Sequence, residues 1–244
     1  MDWNDELIKY AEQGNLEKVK ECLANGANVN AKGSGYTTAL DDASENGHLE
    51  VVKYLVANGA NVKNSGALGT ASRYGHLEVV KYLVENGADM DAKNGWALRL
   101  ASNWGHFEVV KYLVANGANV NVKNYDGETA LMYASSNGHF EMLKYLVEHG
   151  ADVNNKNNFG ITALMSASSN GHFEVVKYLV ENGADVNARD GEALRWASQK
   201  GHFEIVKYLV ANGADVNAET YNGKTAIDVA KNYEVRAFLE KNKN

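Results

Sequence analysis

The chain of 244 residues contains no proline and only one cysteine, Cys22. A single cysteine cannot form a disulfide within the chain, so no covalent cross-link holds the fold together. We interpret Cys22 as a small packing residue, because free cysteines are among the most buried residue types. At an average usage of about 5 %, a chain of this length would carry roughly a dozen prolines, and chance is a poor explanation for their absence.

The chain also lacks an excess of positive charge. It has 24 lysine and arginine residues against 31 aspartate and glutamate residues, which gives a formal net charge of -7. A nucleic-acid-binding protein needs a basic face, and anionic membrane surfaces attract basic segments. The charge balance therefore argues against a nucleic-acid partner and against a membrane partner.

Long apolar runs are missing as well. No stretch reaches the roughly 18 apolar residues that a membrane-spanning helix needs. Residues 1–6 are acidic and contain no apolar run of the kind found in a signal peptide. Together with the unpaired cysteine, these features predict a cytoplasmic protein.

What the chain does contain is a repeated segment. The pattern Gly-His-(Leu/Phe)-Glu-x-(Val/Leu)-Lys-Tyr-Leu-Val occurs six times, and a diverged copy begins at Gly14. The first glycines of successive copies are separated by 33, 28, 30, 33, 33 and 30 residues. A period in this range predicts a solenoid, in which each unit contacts only its neighbours.

One copy, residues 124–154, predicts two short helices. Thr129 follows a turn and can cap the first helix with its hydroxyl. Asn137 and Gly138 end that helix, because both residues tolerate the left-handed conformation. A second helix begins near His139, and its buried side is predicted to contain Phe140, Leu143, Leu146 and Val147. The shorter copies lose residues only from the loop that precedes the first helix.

These features resemble the ankyrin-repeat family over essentially the whole chain. The resemblance rests on the period, on Asp126-Gly127-x-Thr129-x-Leu131, on the Gly-His-(Leu/Phe)-Glu turn and on the Gly-Ala-(Asp/Asn)-Val-Asn tail. It implies an all-α solenoid of stacked helix-turn-helix units with projecting hairpin loops, capped at both ends. We expect a single domain over residues 1–244, with caps at about 1–32 and 219–244 and six internal repeats over 33–218.

The chain departs from the family pattern at the start of the first helix. The family's Thr-Pro-Leu-His reads Thr-Ala-Leu-Met at residues 129–132, and the short units instead carry Ala-Leu-Arg at residues 97–99 and 193–195. These short units resemble those of ankyrin arrays from large DNA viruses and some protists.

Histidine recurs at one position of each repeat, which raises the possibility of a metal site. Helices pack roughly 8–10 Å apart, whereas zinc bonds imidazole nitrogen at about 2.0–2.1 Å, so neighbouring histidines cannot easily share an ion. We interpret the histidines as helix-start residues with local hydrogen bonds, and the carboxylates around Asp42 as a solvated acidic face. We expect no catalytic residues, no metal and no cofactor.

Function is more readily sought at positions that differ between copies, because positions that stay constant serve the stack. One side of the first helix varies in this way, and the resemblance implies that it forms the concave binding face of the family. Tyrosine, tryptophan and arginine, which are enriched at interface hot spots, occur along it, and further aromatic residues are expected at the loop tips. The candidate residues on the first helices are Asp42, Glu45, Arg73, Tyr74, Arg99, Trp104, Tyr133, Ser136, Arg195, Trp196 and Gln199. The candidates at the loop tips are Trp96, Tyr125 and Phe159.

The sequence thus predicts a monomeric, non-catalytic module that binds a protein partner through this face and the loop tips. A second interpretation is a designed or reconstructed ankyrin scaffold without a native partner, which the absent proline and near-identical second helices favour. An enzyme or metal protein is a third.

Overall fold

The computed structural model describes residues 2–33, 35–63 and 66–243. These residues form two compact units, Met1–Val122 and Lys123–Asn244, which we call unit 1 and unit 2. Each unit contains four helix pairs. The described residues form no extended strand, and Lys32 and Thr38 make an isolated antiparallel bridge. The predicted all-α ankyrin-repeat architecture is confirmed.

The helices of unit 1 are short and follow one another in pairs. They are α1 (Trp3–Glu12), α2 (Leu16–Ala24), α3 (Ala39–Glu45), α4 (Leu49–Ala57), α5 (Ala67–Arg73), α6 (Leu77–Glu85), α7 (Ala92–Trp104) and α8 (Phe107–Ala115).

Unit 2 repeats the arrangement. Its helices are α9 (Ala130–Ser136), α10 (Phe140–Glu148), α11 (Ala163–Asn170), α12 (Phe173–Glu181), α13 (Ala188–Lys200), α14 (Phe203–Ala211), α15 (Ala226–Val229) and α16 (Tyr233–Lys241).

Local sequence sets where the long-loop repeats begin their first helix. Thr129 and Thr162 accept a hydrogen bond from the backbone N–H three residues later. Thr38 and Thr225 form full capping boxes, because an aspartate three residues on accepts from the threonine backbone N–H. The predicted cap at Thr129 is therefore confirmed.

The core lies between neighbouring pairs. Within each unit, every first helix contacts the first helix of the next pair, and every second helix contacts the next second helix. The alanines on the contacting sides of the first helices are fully buried, which lets the backbones approach closely: Ala43, Ala71, Ala101, Ala134, Ala167 and Ala197. Cys22, on α2, is buried as a packing residue, and burial raises the pKa of its thiol.

The second helices are joined by edge-to-face aromatic contacts in unit 2. The Phe140 and Tyr178 rings have centroids 5.8 Å apart, and those of Phe173 and Tyr208 are 5.7 Å apart. Such pairs add about 0.5–1.5 kcal/mol beyond the area they bury. The recurrent tyrosine therefore serves packing between repeats.

Within each unit, the repeated histidine links a repeat to the one before it. In unit 1, His48 Nε2 lies 2.9 Å from the Glu12 carbonyl oxygen, and His76 Nε2 lies 2.8 Å from that of Glu45. A carbonyl oxygen can only accept, so Nε2 carries the proton. Each imidazole ring also packs against the glycine that lies two residues after the carbonyl acceptor: His48 against Gly14 and His76 against Gly47. The same bond joins His106 to Arg73, His172 to Ser136 and His202 to Ser169. The prediction of local hydrogen bonds was wrong, because each bond crosses to the preceding repeat.

Asparagine in the Gly-Ala-(Asp/Asn)-Val-Asn tail forms a second link. Asn154 Nδ2 donates to the Gly183 carbonyl at 2.9 Å, and its Oδ1 accepts from the Asp185 backbone N–H at 2.8 Å. Asn30 and Asn187 bond the next repeat in the same two ways. One amide thereby satisfies a donor and an acceptor of the neighbouring loop.

The two 13-residue helices, α7 and α13, begin with a left-handed turn. Lys93, Asn94 and Gly95 have φ values of 51°, 59° and 69°, and residues 189–191 of α13 have nearly the same angles. This turn replaces the hairpin of the longer repeats. Non-glycine residues pay an energetic penalty in this region of backbone space, so the turn needs support from elsewhere.

Buried arginines supply that support, and they correct two predictions. Arg99 donates from Nε to the Asn94 carbonyl at 3.0 Å and from Nη2 to the Lys93 carbonyl at 3.4 Å. Arg195 donates to the equivalent carbonyls of residues 190 and 189. The two arginines are only 9 % and 7 % exposed. Arg99 and Arg195 therefore have a structural role. Because their guanidinium groups are buried and hydrogen-bonded to the turn, they do not present positive charge on a binding face.

Trp96 was predicted to be an exposed loop-tip residue, but it is half-buried and packs against a neighbouring helix. Its ring lies over α5, where a Cβ built on Gly69 would be 2.1 Å from Trp96 Cε3. Lys93 Nζ lies 4.8 Å from the centroid of the Trp96 ring. Gly69 occupies the sequence position of Arg99 and Arg195, and its lack of a side chain creates the space that Trp96 fills.

The fit of the Trp96 ring against Gly69 predicts that the effect of Gly69→Ala on the free energy of unfolding changes sign when the ring is removed. Gly69→Ala should destabilise the protein by about 1–3 kcal/mol, because the added methyl collides with the indole. In a Trp96→Ala background the same change should stabilise by roughly 0.5–1 kcal/mol, since alanine is the better helix former. Chemical denaturation of the four proteins measures the coupling. Equal effects of Gly69→Ala in both backgrounds would contradict the contact.

The buried arginines predict a loss of stability that does not depend on a partner. Arg195→Ala should lower the free energy of unfolding by about 1–3 kcal/mol, because the turn carbonyls lose buried donors. Lys200→Ala removes the same charge from an exposed position of the same helix and should change stability by no more than about 0.5 kcal/mol. Thermal melts of the two variants compare them, and an unchanged melt for Arg195→Ala would refute the structural role.

Candidate functional site

The copy-variable positions of the first helices form what we call the variable face, defined by Asp42, Glu45, Arg73, Tyr74, Trp104, Tyr133, Ser136, Ser169, Trp196 and Gln199. Each lies on the half-exposed or exposed side of its helix. The two units contribute separate parts of it.

In unit 1 the variable face carries a cation close to two aromatic rings. The Arg73 guanidinium carbon lies 5.3 Å from the Tyr74 ring centroid and 5.4 Å from the Trp104 ring centroid. Tyr74 is 44 % exposed and Trp104 is 54 % exposed. These three residues and His106 line a shallow hollow of about 280 Å³. Neighbouring positions of α5 and α7 bring them together, and we call them the Arg73 cluster.

Asp42 lies in a hollow of about 410 Å³ of unit 1 that three carboxylates, those of Asp5, Glu12 and Asp42, line together with one cation, Lys9. Burial raises the pKa of the Asp42 carboxyl above its ordinary value, although a hydrogen bond that Thr37 donates at 3.4 Å opposes the shift. The carboxylates of Glu12 and two neighbours on α3 raise this pKa further, because like charges disfavour ionisation. Glu45 is half-buried and does not line the hollow.

In unit 2 the variable face forms a groove of about 310 Å³ across three repeats. We call it the Trp196 groove. Its walls come from α9, α11 and α13 and from the two hairpin loops that precede α9 and α11. Its lining includes Glu128, Tyr133, Ser136, Asn157, Ser169 and Trp196.

A hydrogen-bond network fixes one carboxylate in this groove. Tyr133 donates its hydroxyl to Glu128 Oε2 at 2.6 Å, and Asn124 Nδ2 donates to the same oxygen at 3.2 Å. Asn124 Oδ1 accepts from the Glu128 backbone N–H at 2.8 Å. The network orients Tyr133 along the groove wall, so part of its hydrogen-bonding capacity is already used.

The loop tips of unit 2 are exposed and bonded to each other. Tyr125 is 89 % exposed and Phe159 is 67 % exposed. Asn158 donates its backbone N–H to the Asp126 carbonyl at 2.8 Å and its side-chain amide to the Tyr125 carbonyl at 2.7 Å. Two adjacent hairpins therefore hold these aromatic side chains outward on a hydrogen-bonded support.

The structure brings together some of the predicted residues and not others. The Arg73 cluster unites three of them in unit 1, and Tyr133, Ser136 and Trp196 meet in the Trp196 groove. Gln199 is exposed but does not line that groove.

Sequence reasoning missed Glu128 and Asn157. Both lie in the hairpin loops, whereas the comparison between copies considered only the helices. Glu128 nevertheless occupies a position that varies between copies, where Thr37, Ile161 and Lys224 stand in other repeats. Extending the comparison to the loop would have identified it.

In residues 2–33, 35–63 and 66–243, no group of three histidine, cysteine or carboxylate residues lies close enough together to hold a metal ion. No helix in that part of the chain combines the length and apolar character needed to cross a bilayer.

Comparison with known families agrees with the geometry. A family model for ankyrin repeats (3 copies) matches residues 7–94, 63–124 and 98–190, and a model for ankyrin repeats (many copies) matches residues 194–235. A search of curated proteins finds no match. Ankyrin repeats are generally protein–protein interaction modules, and the family is typically non-catalytic. Because these matches extend over most of its length, the chain belongs to the ankyrin-repeat family.

Proposed function

We propose that this chain is a non-catalytic module that binds a partner protein through the variable face and the exposed loop tips. The Arg73 cluster is the observation that carries the proposal. Tyr74 and Trp104 expose about half of their surface and both rings lie close to the Arg73 guanidinium, and tyrosine, tryptophan and arginine are the residues that dominate interface hot spots.

The geometry of the cluster favours binding over a role in stability. The rings hold the guanidinium in a limited set of orientations, so less side-chain entropy is lost when a partner binds. Arg73, Tyr74 and Trp104 are all exposed and line the same hollow, so the two rings can cover apolar surface of a partner while the guanidinium donates hydrogen bonds.

The acidic part of unit 1 supports the same proposal. Asp42 is partly buried among like charges, an arrangement that disfavours its ionised form and lowers stability at neutral pH. Residues kept at a cost to stability are often found where function requires them. An acidic hollow in unit 1 would orient a partner by charge complementarity.

Truncation of the two rings tests the proposal. Proteins captured from a lysate by the full chain should be retained at least about tenfold less well by a Tyr74→Ala, Trp104→Ala double variant, because hot-spot truncations typically exceed 1.4 kcal/mol. Tyr233→Ala removes an aromatic ring that is still more exposed, 86 % on α16, and serves as the control that should leave capture unchanged.

Quantitative mass spectrometry of the captured proteins, with a thermal melt of each variant, gives the result. Unchanged retention by the double variant would show that the Arg73 cluster is not the binding surface. Failure of the unmodified chain to retain any protein specifically would favour the alternative of a scaffold without a native partner.

The raised pKa of Asp42 predicts a pH-dependent effect on stability. A carboxyl whose pKa is raised by folding destabilises the folded state above that pKa, and the penalty disappears as pH falls below the unfolded value of about 3.9. Asp42→Asn should therefore raise the free energy of unfolding at pH 7, because asparagine has no charge and can still accept from Thr37. The gain should be absent at about pH 3.

Urea denaturation at the two pH values measures this difference. Asp89→Asn, at an exposed loop position of the same unit, is the control for loss of one negative charge. A variant at position 42 that is less stable than the parent at pH 7 would contradict the account.

A further inference from the structure

The Trp196 groove differs from the rest of the variable face in the balance of its polar groups. Glu128 is the one residue with a formal charge among the described residues that line it, and no lysine or arginine is among them. Serines at positions 136, 166 and 169 make the floor small and neutral. The groove therefore has a single negative charge with no cation beside it to neutralise that charge.

A comparison of adjacent hairpins shows an unused donor in the same groove. Asn124 and Asn157 occupy equivalent positions, and each uses Oδ1 to accept two backbone N–H groups of its own loop. This pattern fixes the orientation of both amides, because only the oxygen can accept. Asn124 Nδ2 then donates to Glu128 and Tyr133.

The next repeat lacks these acceptors. Ile161 stands in place of Glu128 and Ser166 in place of Tyr133, so within the described part of unit 2 the Asn157 amide nitrogen donates to no protein group. The groove thus presents an anchored carboxylate, an available N–H₂ donor and the half-exposed ring of Trp196.

We infer that the Trp196 groove recognises an arginine side chain in an extended segment of the partner protein. Glu128 accepts hydrogen bonds from the guanidinium, Trp196 offers an aromatic face on which the planar cation stacks, and Asn157 Nδ2 donates to a backbone carbonyl of the segment. This inference rests on the proposed function, since it specifies the chemistry of the partner at one part of the variable face.

Arginine fits these groups better than other side chains. Its guanidinium is planar and weakly hydrated, so it can stack on an indole and donate to a carboxylate at the same time. Lysine carries the same charge on a compact ammonium that stacks less well. An aliphatic side chain would leave the Glu128 carboxylate partly desolvated without a partner, which is unfavourable.

A peptide titration of the isotopically labelled full chain tests the inference directly. The probe is the pentapeptide acetyl-Gly-Ala-Arg-Ala-Gly-amide, and its matched control contains citrulline, which has the shape of arginine without the charge. The readout is the NMR signal of the Trp196 indole N–H, assigned with Trp196→Phe. We expect saturable shifts at Trp196 and at the Asn157 side-chain amide, with at least about fivefold weaker binding of the citrulline peptide.

Two variants separate the carboxylate from general effects of charge. Glu128→Gln keeps an acceptor for Tyr133 and Asn124 but removes the charge, and it should weaken binding of the arginine peptide at least about fivefold. Glu174→Gln, at an exposed position of α12 in the same unit, should leave it unchanged. Affinity for the unmodified chain should also fall as salt is raised, because the ion pair is partly exposed.

Several outcomes would overturn the inference. They are equal binding of the arginine and citrulline peptides, equal or tighter binding of a norleucine peptide, no effect of Glu128→Gln, or shifts that avoid Trp196. If such an outcome occurs while capture of a partner still depends on Tyr74 and Trp104, the arginine site is wrong and the proposed function stands. If capture fails as well, the proposed function fails with it.

Discussion

Burial of one helix pair against the next is the interaction on which this structure depends. The helices other than α7 and α13 are only 4–10 residues long, and isolated helices shorter than about 12–15 residues are marginal in water. A single pair cannot bury both of its apolar sides. The alanines of the first helices and the leucines of the second are therefore buried only because a neighbouring pair covers them.

Polar side chains make this burial specific. A histidine and an asparagine in successive repeats bond to backbone groups of the adjoining repeat. These bonds fix the register of one pair on the next and satisfy loop groups that would otherwise lack partners. Positions used in this way cannot vary freely, which leaves the remaining side of the first helix and the loops available for recognition.

The short repeats show how the stack tolerates a change in loop length. In α7 and α13 a left-handed turn replaces the hairpin, and a buried arginine bonds its carbonyls. The third short repeat carries Gly69 at the arginine position, and the ring of Trp96 fills the space. Local substitutions thus compensate one another while the contact between neighbouring pairs is kept.

Much of the fold follows from the sequence, because period, capping threonines and terminal glycines act locally. The threonine cap at residue 129 and the packing role of Cys22 were predicted from such signals and are confirmed. The predicted binding role of Arg99 and Arg195 was wrong, since nothing in the sequence indicates that three consecutive residues adopt a left-handed conformation. Trp96 was misplaced for a related reason, because its position depends on a missing side chain 27 residues earlier.

The candidate site was harder to predict than the fold. Variation between copies identified Tyr74, Trp104 and Trp196, which line hollows on the variable face. The roles of Glu128 and Asn157 depend on which side-chain amide of the loops already has a hydrogen-bond partner. The three-dimensional arrangement of the hairpins is needed to know this.

Hydrogen–deuterium exchange of the full chain, alone and saturated with a captured partner, tests most directly the claim that recognition occurs on the variable face. The account predicts new protection in residues 67–75 and 96–105 of unit 1 and in residues 128–137 and 157–170 of unit 2, with little change in the second helices α6 and α12. Protection confined to the second helices would contradict it.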